Sequence, residues 1–206
     1  MNWANKVSML RIFLVPCFVY TFLAAEKSKN NLDHLFFYAV LLFFLASLTD
    51  FIDGYLARNI EKETKFGKLI DPVADKLLIT AALLCLLDSQ IISVWIALLL
   101  IGRDIAIQGL RIVAASQGEI IQASGGGKLK TILQMTAIMT ALVIKMLTYE
   151  IVKGGLFFSY RENGFVKFLV GNFQQIVFYL MWSAVIVSLY SAYSYFMNCK
   201  KIRIDE

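Results

Sequence analysis

Six long apolar segments make up most of this chain of 206 residues. Each is close to the length of about 20 residues that a helix needs to cross the hydrocarbon core of a bilayer. They lack the alternation of apolar and polar residues that is typical of a transmembrane strand. The sequence therefore predicts an all-α integral membrane protein, with six transmembrane helices in a single domain, residues 1–206. The segments are Val7–Ala25, Leu35–Leu56, Leu69–Leu87, Ile91–Ala115, Thr131–Tyr149 and Phe165–Phe196.

The composition agrees with this class of protein, because 59% of the residues are hydrophobic and only 17% are charged. A water-soluble domain of this size would need more polar residues to cover its surface. The net charge of +5 does not indicate a nucleic-acid partner, since the lysines and arginines lie at the ends of the apolar segments. We expect these cations to follow the positive-inside rule and to attract anionic lipid of the bilayer.

The distribution of the cations predicts the topology. If the N-terminus is placed inside, the inner connections carry 12 lysines and arginines, whereas the outer connections carry 4. This bias predicts that both termini face the cytoplasm and that the protein is a multi-pass protein of the cytoplasmic membrane.

Four aspartates lie on either side of the connection between the second and third segments. Helical periodicity places the members of each pair on one face of their helix, and the short connection predicts that the two helices are antiparallel neighbours. Four converging carboxylates would cost on the order of 10 kcal/mol without compensation, and oxygen ligands suit hard divalent cations. The pattern predicts a metal site, and the alternative is a salt-bridged cluster with Arg58 and Lys76. The aspartates are Asp50, Asp53, Asp71 and Asp75.

Two further features concern helix ends. Pro72 lacks an N–H group, so we expect it in the first turn of the third helix, where the free N–H groups would attract phosphate. The run Ser124-Gly125-Gly126-Gly127 lacks the spacing of a phosphate-binding loop of the Walker type. It predicts a hinge before the fifth helix.

The aspartates belong to a longer pattern, which resembles the signature of the CDP-alcohol phosphatidyltransferases. Its fixed positions are all present, as Asp50-x-x-Asp53-Gly54-x-x-Ala57-Arg58 followed by Gly67-x-x-x-Asp71-x-x-x-Asp75. The opening Asn5-x-x-Ser8-x-x-Arg11 is similar to an N-terminal motif of the same family, with Ser8 in place of threonine. Four other runs are similar to one branch, the phosphatidylglycerophosphate synthases: Phe66-Gly67, Asp71-Pro72-Val73-Ala74-Asp75-Lys76, Gly102-Arg103-Asp104 and Gly127-Lys128-x-Lys130-Thr131.

The resemblance implies a six-helix fold, often dimeric, with a polar cavity open to the cytoplasm. It implies that the four aspartates hold two divalent cations, Mg²⁺ or Mn²⁺, and that Asp75 also takes the proton of the attacking hydroxyl. In this branch the substrates are CDP-diacylglycerol and glycerol 3-phosphate. The residues that match the binding site for the CDP group are Asn5, Gly54, Ala57, Arg58 and Gly67.

Four cations in the predicted cytoplasmic halves of the fourth and fifth helices favour a phosphorylated acceptor, through bidentate arginine and point-charge lysine contacts. The alternative for Arg103 is a structural pair with Asp104, and for the other three it is ordinary positive-inside placement. Glycerol 3-phosphate is the predicted acceptor, and inositol phosphate is the runner-up. The cations are Arg103, Arg111, Lys128 and Lys130.

Two rival functions use similar residues. A divalent cation transporter would share the carboxylates within the membrane, but it should have polar residues through the full depth of the bilayer. The outer halves of the six segments are almost purely apolar, which favours a site that opens on one side. An aspartate-rich prenyl diphosphate transferase would also use Mg²⁺ and a diphosphate, but its acidic clusters differ in spacing from this motif.

Overall fold

The computed structural model describes the backbone of residues 3–27, 34–59, 65–116, 125–153, 159 and 162–204. Within these ranges the side chains of residues 3–8, 50–72, 75, 115–116, 125–128, 152–153 and 198–204 are not described. The described backbone is helical almost throughout and contains no strand. The helices are α1 (Trp3–Lys27), α2 (Leu35–Asn59), α3 (Lys65–Asp88), α4 (Val94–Ser116), α5 (Gly125–Lys153), α6 (Gly164–Gly171) and α7 (Phe173–Ile204).

Each of the six predicted segments is helical, but the last is divided at Asn172 into α6 and α7. The backbone N–H and the side-chain amide of Asn172 both donate to the carbonyl oxygen of Phe168, at 3.0 and 2.9 Å. An asparagine that bonds its own preceding turn competes with the regular hydrogen bonds of a helix. The break therefore has a local cause in the sequence, which the apolar pattern alone did not reveal.

Two predictions about helix ends are wrong. α5 begins at Gly125, so glycines 125–127 form its first turn instead of a hinge before it. α3 begins at Lys65, so Pro72 lies about two turns inside the helix and not in its first turn. A proline at that depth removes one backbone hydrogen bond of the helix. The helix N-terminus that Pro72 is expected to mark is therefore about two turns away from it.

Contacts at one end of the bundle set the direction of the first five helices. Lys145, in the second half of α5, lies 3.1 Å from Glu26 near the end of α1. Ser89, just after α3, donates a hydrogen bond of 3.2 Å to the same carboxylate. His34, just before α2, lies 3.8 Å from Glu150 near the end of α5. Hence α1, α3 and α5 run in one direction, and α2 runs in the other. α4 follows α3 after the short connection 89–93 and contacts it through Lys76 and Asp104, so it also runs in the opposite direction to α3.

The direction of α7 follows from its contacts with α4. Arg103 bonds Ser188 and Ser191, and Arg111 lies over the ring of Tyr195. The later residue of α4 contacts the later residue of α7, so the two helices run parallel. α7 is therefore antiparallel to α5.

Aromatic side chains join α1, α2 and α5 near the same end of the bundle. The rings of Phe22 and Phe36 are 5.4 Å apart, and those of Phe36 and Tyr149 are 4.8 Å apart, both edge to face. Such pairs contribute about 0.5–1.5 kcal/mol beyond the burial of their area. Fully buried alanines on α1, α2, α3 and α5 accompany them, and small residues allow membrane helices to pack closely.

Three of the described helices are long and apolar enough to cross a membrane, namely Met9–Lys27, Leu129–Ile151 and Phe173–Met197, and Leu35–Thr49 is a shorter apolar helix. α4 is of similar length, but Arg103, Asp104 and Arg111 interrupt its apolar sequence. The helices and their composition identify a membrane protein.

Candidate functional site

The aspartate motif lies on the facing ends of two helices in contact. Asp50 and Asp53 belong to the C-terminal half of α2, while Asp71 and Asp75 belong to the N-terminal half of α3. The two helices run in opposite directions and contact each other. The backbone of both segments is helical, as the spacing of the aspartates predicted. Carboxylate oxygens are ligands that suit Mg²⁺ or Mn²⁺.

Most side chains of the predicted site lie outside the described residues, so the binding of metal and of the CDP group by them stays a prediction. Among the side chains that are described, no group of three or more His, Cys, Asp or Glu could hold a metal ion. The predicted residues outside the described side chains are Asn5, Asp50, Asp53, Gly54, Ala57, Arg58, Gly67, Asp71, Asp75 and Lys128.

Asp104 on α4 is the centre of a buried group of charges. Its Oδ1 accepts hydrogen bonds from Arg103 Nη1, at 3.1 Å, and from Lys130 Nζ on α5. Its Oδ2 lies 3.9 Å from Lys76 Nζ on α3. We call these four residues the Asp104 cluster, and it joins three helices at the level of the aspartate motif.

Burial makes the cluster electrostatically strong. The side chain of Asp104 is 7% exposed, that of Lys130 is 3% and that of Arg103 is 11%, whereas Lys76 is 37% exposed. Charges that are removed from water interact more strongly, and an uncompensated one is expensive. Arg103 and Lys130 share the single carboxylate of Asp104, so positive charge is in excess among these three buried side chains. Such an arrangement favours the approach of an anion.

Arg103 also ties α4 to α7. Its Nε donates to the carbonyl oxygen of Ser188 and its Nη2 donates to Ser191 Oγ, each at 3.1 Å. The guanidinium thus uses three of its five N–H groups within the described part of the chain. This is the pairing with Asp104 that sequence analysis left open, extended by two partners on α7.

The structure does not bring all the predicted acceptor cations together. Arg103 and Lys130 meet at Asp104, but Arg111 is exposed and its guanidinium carbon lies 5.6 Å from the centre of the Tyr195 ring. Arg111 is seven residues beyond Asp104, about 10 Å further along α4. It therefore contacts the α7 aromatic ring and is not part of the Asp104 cluster.

Sequence analysis missed the contribution of α7. Ser188, Ser191 and Tyr195 are buried and spaced by three and four residues, so they form one polar stripe on α7. That spacing was the available signal, because buried polar residues in a membrane helix usually face other protein groups. Lys76 was considered only as a partner of the aspartates.

Lys76 links the two polar regions. It is the residue after Asp75, so on α3 the two positions are one step apart, about 1.5 Å along the helix axis. The backbone therefore places the predicted metal ligand within one helical turn of a member of the Asp104 cluster.

The fold and these two regions define a helical membrane protein with a carboxylate motif and a buried cation cluster at the same end of its bundle. The chain belongs to the CDP-alcohol phosphatidyltransferase family, whose sequence model matches residues 1–190.

Individual relatives extend over most of the chain. The chain is 33% identical over 200 residues to the CDP-diacylglycerol–glycerol-3-phosphate 3-phosphatidyltransferase of Rickettsia bellii, with 97% of this chain and 96% of the relative covered. A protein of the same name from Haemophilus influenzae is 33% identical over 205 residues, covering 97% and 94%. A third, from Bacillus subtilis, is 38% identical over 157 residues, covering 73% and 81%.

Proposed function

We propose that this protein transfers the phosphatidyl group from CDP-diacylglycerol to sn-glycerol 3-phosphate, forming phosphatidylglycerophosphate and CMP. The observation that carries the proposal is the similarity of nearly the whole chain to relatives that bear the name of this activity. The complete aspartate motif on α2 and α3 supplies the residues that such a reaction needs.

In this reaction a hydroxyl oxygen of the acceptor attacks the phosphorus that carries the diacylglycerol. A new P–O bond forms there, the P–O bond to CMP breaks, and the hydroxyl proton is transferred to a base. Asp75 is the proposed base, and the single histidine, His34, lies at the opposite end of the bundle. An aspartate carboxylate is a modest base, so orientation of the hydroxyl must carry much of the catalysis.

Asp50, Asp53, Asp71 and Asp75 are the proposed ligands of two divalent cations, Mg²⁺ or Mn²⁺. When bound, these ions would stabilise the negative charge that develops on the diphosphate. Arg58 is proposed to add a further positive charge at that position. Asn5, Gly54, Ala57 and Gly67 are proposed to complete the pocket for the CDP group, by their match to the family motif.

The Asp104 cluster supports a phosphorylated acceptor. Glycerol 3-phosphate carries close to two negative charges at neutral pH, and Arg103 and Lys130 lie side by side with positive charge in excess. We propose that these two residues, with Lys128, bind the acceptor phosphate. Inositol phosphate would satisfy the same charge requirement and is the alternative acceptor.

We further propose that α1–α5 and α7 are six membrane spans, with both termini and the active site on the cytoplasmic side of the cell membrane. The alternating directions of the helices support an even number of spans, and the bias of cations towards one set of connections supports the orientation. A homodimer is proposed on the resemblance to the family.

The first experiment measures CMP release from CDP-diacylglycerol by the detergent-purified full chain with Mg²⁺ or Mn²⁺. Glycerol 3-phosphate, inositol phosphate and serine are added singly. We expect release with glycerol 3-phosphate, and a loss of about 100-fold or more in Asp75→Asn, because a positioned base contributes about 10²–10⁴-fold.

Asp88→Asn is the matched control. It is the same substitution on the same helix at an exposed position, about 20 Å further along the helix axis, and it should leave the rate unchanged. Release with inositol phosphate alone would keep the family and change the acceptor. If no acceptor gives CMP release and the protein takes up Mn²⁺ into liposomes, the enzyme hypothesis is wrong and the protein is a transporter.

A further inference from the structure

We propose that Asp104 is a positioning residue for the acceptor, which holds Lys130 and Arg103 in place to bind a phosphate monoester dianion. The inference rests on the proposed function and deepens it, because it assigns a role to a residue that does not itself touch the substrate. A carboxylate would repel a phosphate, so its place among the acceptor cations requires an explanation.

The contacts supply that explanation. Lys130 and Arg103 come from different helices, and each donates a hydrogen bond to Oδ1 of Asp104. Both side chains are almost fully buried, so neither can turn its charge to water as an exposed lysine or arginine does. Without a shared anion the two cations would repel each other in a site of low dielectric. Asp104 is therefore the group that allows them to lie side by side.

The arginine is fixed from its other side as well. Its Nε and Nη2 donate to the carbonyl oxygen of Ser188 and the hydroxyl of Ser191 on α7. With Asp104 on Nη1, every nitrogen of the guanidinium has a protein partner. A guanidinium that is held at three points presents its remaining N–H groups in a set direction, which is what bidentate binding of a phosphate requires.

The charge of the cluster defines the class of acceptor. Arg103 and Lys130 share the single carboxylate of Asp104, so these three buried side chains leave one positive charge in excess. This excess favours an anionic acceptor such as a phosphate monoester, whereas serine, choline or a free polyol would leave it uncompensated. Lys76 follows Asp75 on α3, so the backbone of the proposed base lies one residue from a member of the cluster.

The test compares Michaelis constants for the two substrates in Asp104→Asn and Asp104→Glu, with CMP release as the assay. We expect Asp104→Asn to raise KM for glycerol 3-phosphate about tenfold or more, equal to about 1.4 kcal/mol, with KM for CDP-diacylglycerol changed less than about twofold. Asp104→Glu keeps the charge and should recover part of the loss. The double variant Asp104→Asn with Lys130→Gln should bind the acceptor no worse than Lys130→Gln alone.

Glu26→Gln is the matched control. It removes the carboxylate of another interhelical ion pair, with Lys145, which lies about 22 Å from Lys130 along α5. It should leave both Michaelis constants unchanged. If Asp104→Asn cannot be purified, Ser191→Ala removes one support of Arg103 without a change of charge and should raise KM for glycerol 3-phosphate alone, by about two- to threefold.

Several results would overturn the role of Asp104. A fall in KM for glycerol 3-phosphate in Asp104→Asn would mean that its charge only competes with the phosphate. Equal increases in both Michaelis constants, or a loss of kcat alone, would reduce Asp104 to a structural residue. These failures differ from failure of the proposed function, in which the unmodified protein releases no CMP with glycerol 3-phosphate.

Discussion

Arg103→Lys is a direct test of how α4 and α7 are held together. The substitution keeps the positive charge but replaces a planar fork by a single ammonium group. A lysine at this position can keep a contact with Asp104, but it cannot also reach the Ser188 carbonyl and the Ser191 hydroxyl in the geometry of the guanidinium. Two buried hydrogen bonds are therefore lost, and their acceptors on α7 are left without the donor.

The expected size follows from these contacts. A hydrogen bond that involves a charged group contributes about 1.5–3 kcal/mol, so the two together give a loss of about 3–6 kcal/mol in the free energy of unfolding. For a chain of 150–250 residues each kcal/mol shifts Tm by about 2–4 °C, and we expect Tm to fall by about 6–24 °C. Intrinsic fluorescence of the detergent-purified protein can follow the transition, since Trp182 lies partly buried on α7.

Arg111→Lys is the matched control on the same helix. Arg111 is exposed, and its described interaction is with the Tyr195 ring, which a lysine can also approach. Its Tm should therefore fall by less than about 2 °C, since an exposed cation–π contact contributes about 0.5–1 kcal/mol. An Arg103→Lys protein as stable as the unmodified one, or an equal loss in the two variants, would refute the contact between α4 and α7 as a source of stability.

Two other predictions concern the core and the metal site. Gln134 is fully buried on α5, and neither its amide nitrogen nor its oxygen has a hydrogen-bond partner among the described residues. Removing two unpaired polar atoms at nearly constant volume should leave Tm unchanged or raise it by a few degrees in Gln134→Met, and a fall of about 5 °C or more would show that the amide is paired. Removal of divalent cations with a chelator should abolish CMP release, and Mg²⁺ or Mn²⁺ should restore it; release that persists at full rate after exhaustive chelation would contradict the metal site.

Much of the helical arrangement could be predicted from the sequence, because a bilayer leaves few options for an apolar segment of about 20 residues. Each predicted segment is helical, and the described ends agree within a few residues for α2 and α4. The errors lie at the ends of helices. Asn172 interrupts the last segment by bonding Phe168, and glycines 125–127 form the first turn of α5, which the sequence predicted as a hinge.

The acceptor region could be predicted only in part. Charge and depth in the membrane singled out Arg103 and Lys130, and both are in the Asp104 cluster. The same criteria selected Arg111, which contacts an aromatic ring on α7 instead. Spacing along one helix does not say which neighbouring helix a residue faces, so the roles of Ser188 and Ser191 required the packing of α4 against α7.

The position of Asp104 resolves an apparent conflict between the stability of the membrane domain and the proposed binding of a phosphorylated acceptor. Buried cations without a counter-charge destabilise the folded protein. One carboxylate for each cation, however, would leave no positive charge to bind the ligand. A single carboxylate shared by Arg103 and Lys130 satisfies part of each requirement. It compensates enough charge for the two side chains to stay buried, and it leaves an excess of positive charge for the proposed phosphate. The same reasoning explains why a neutral residue at position 104 should weaken binding of the acceptor although it makes the site more positive.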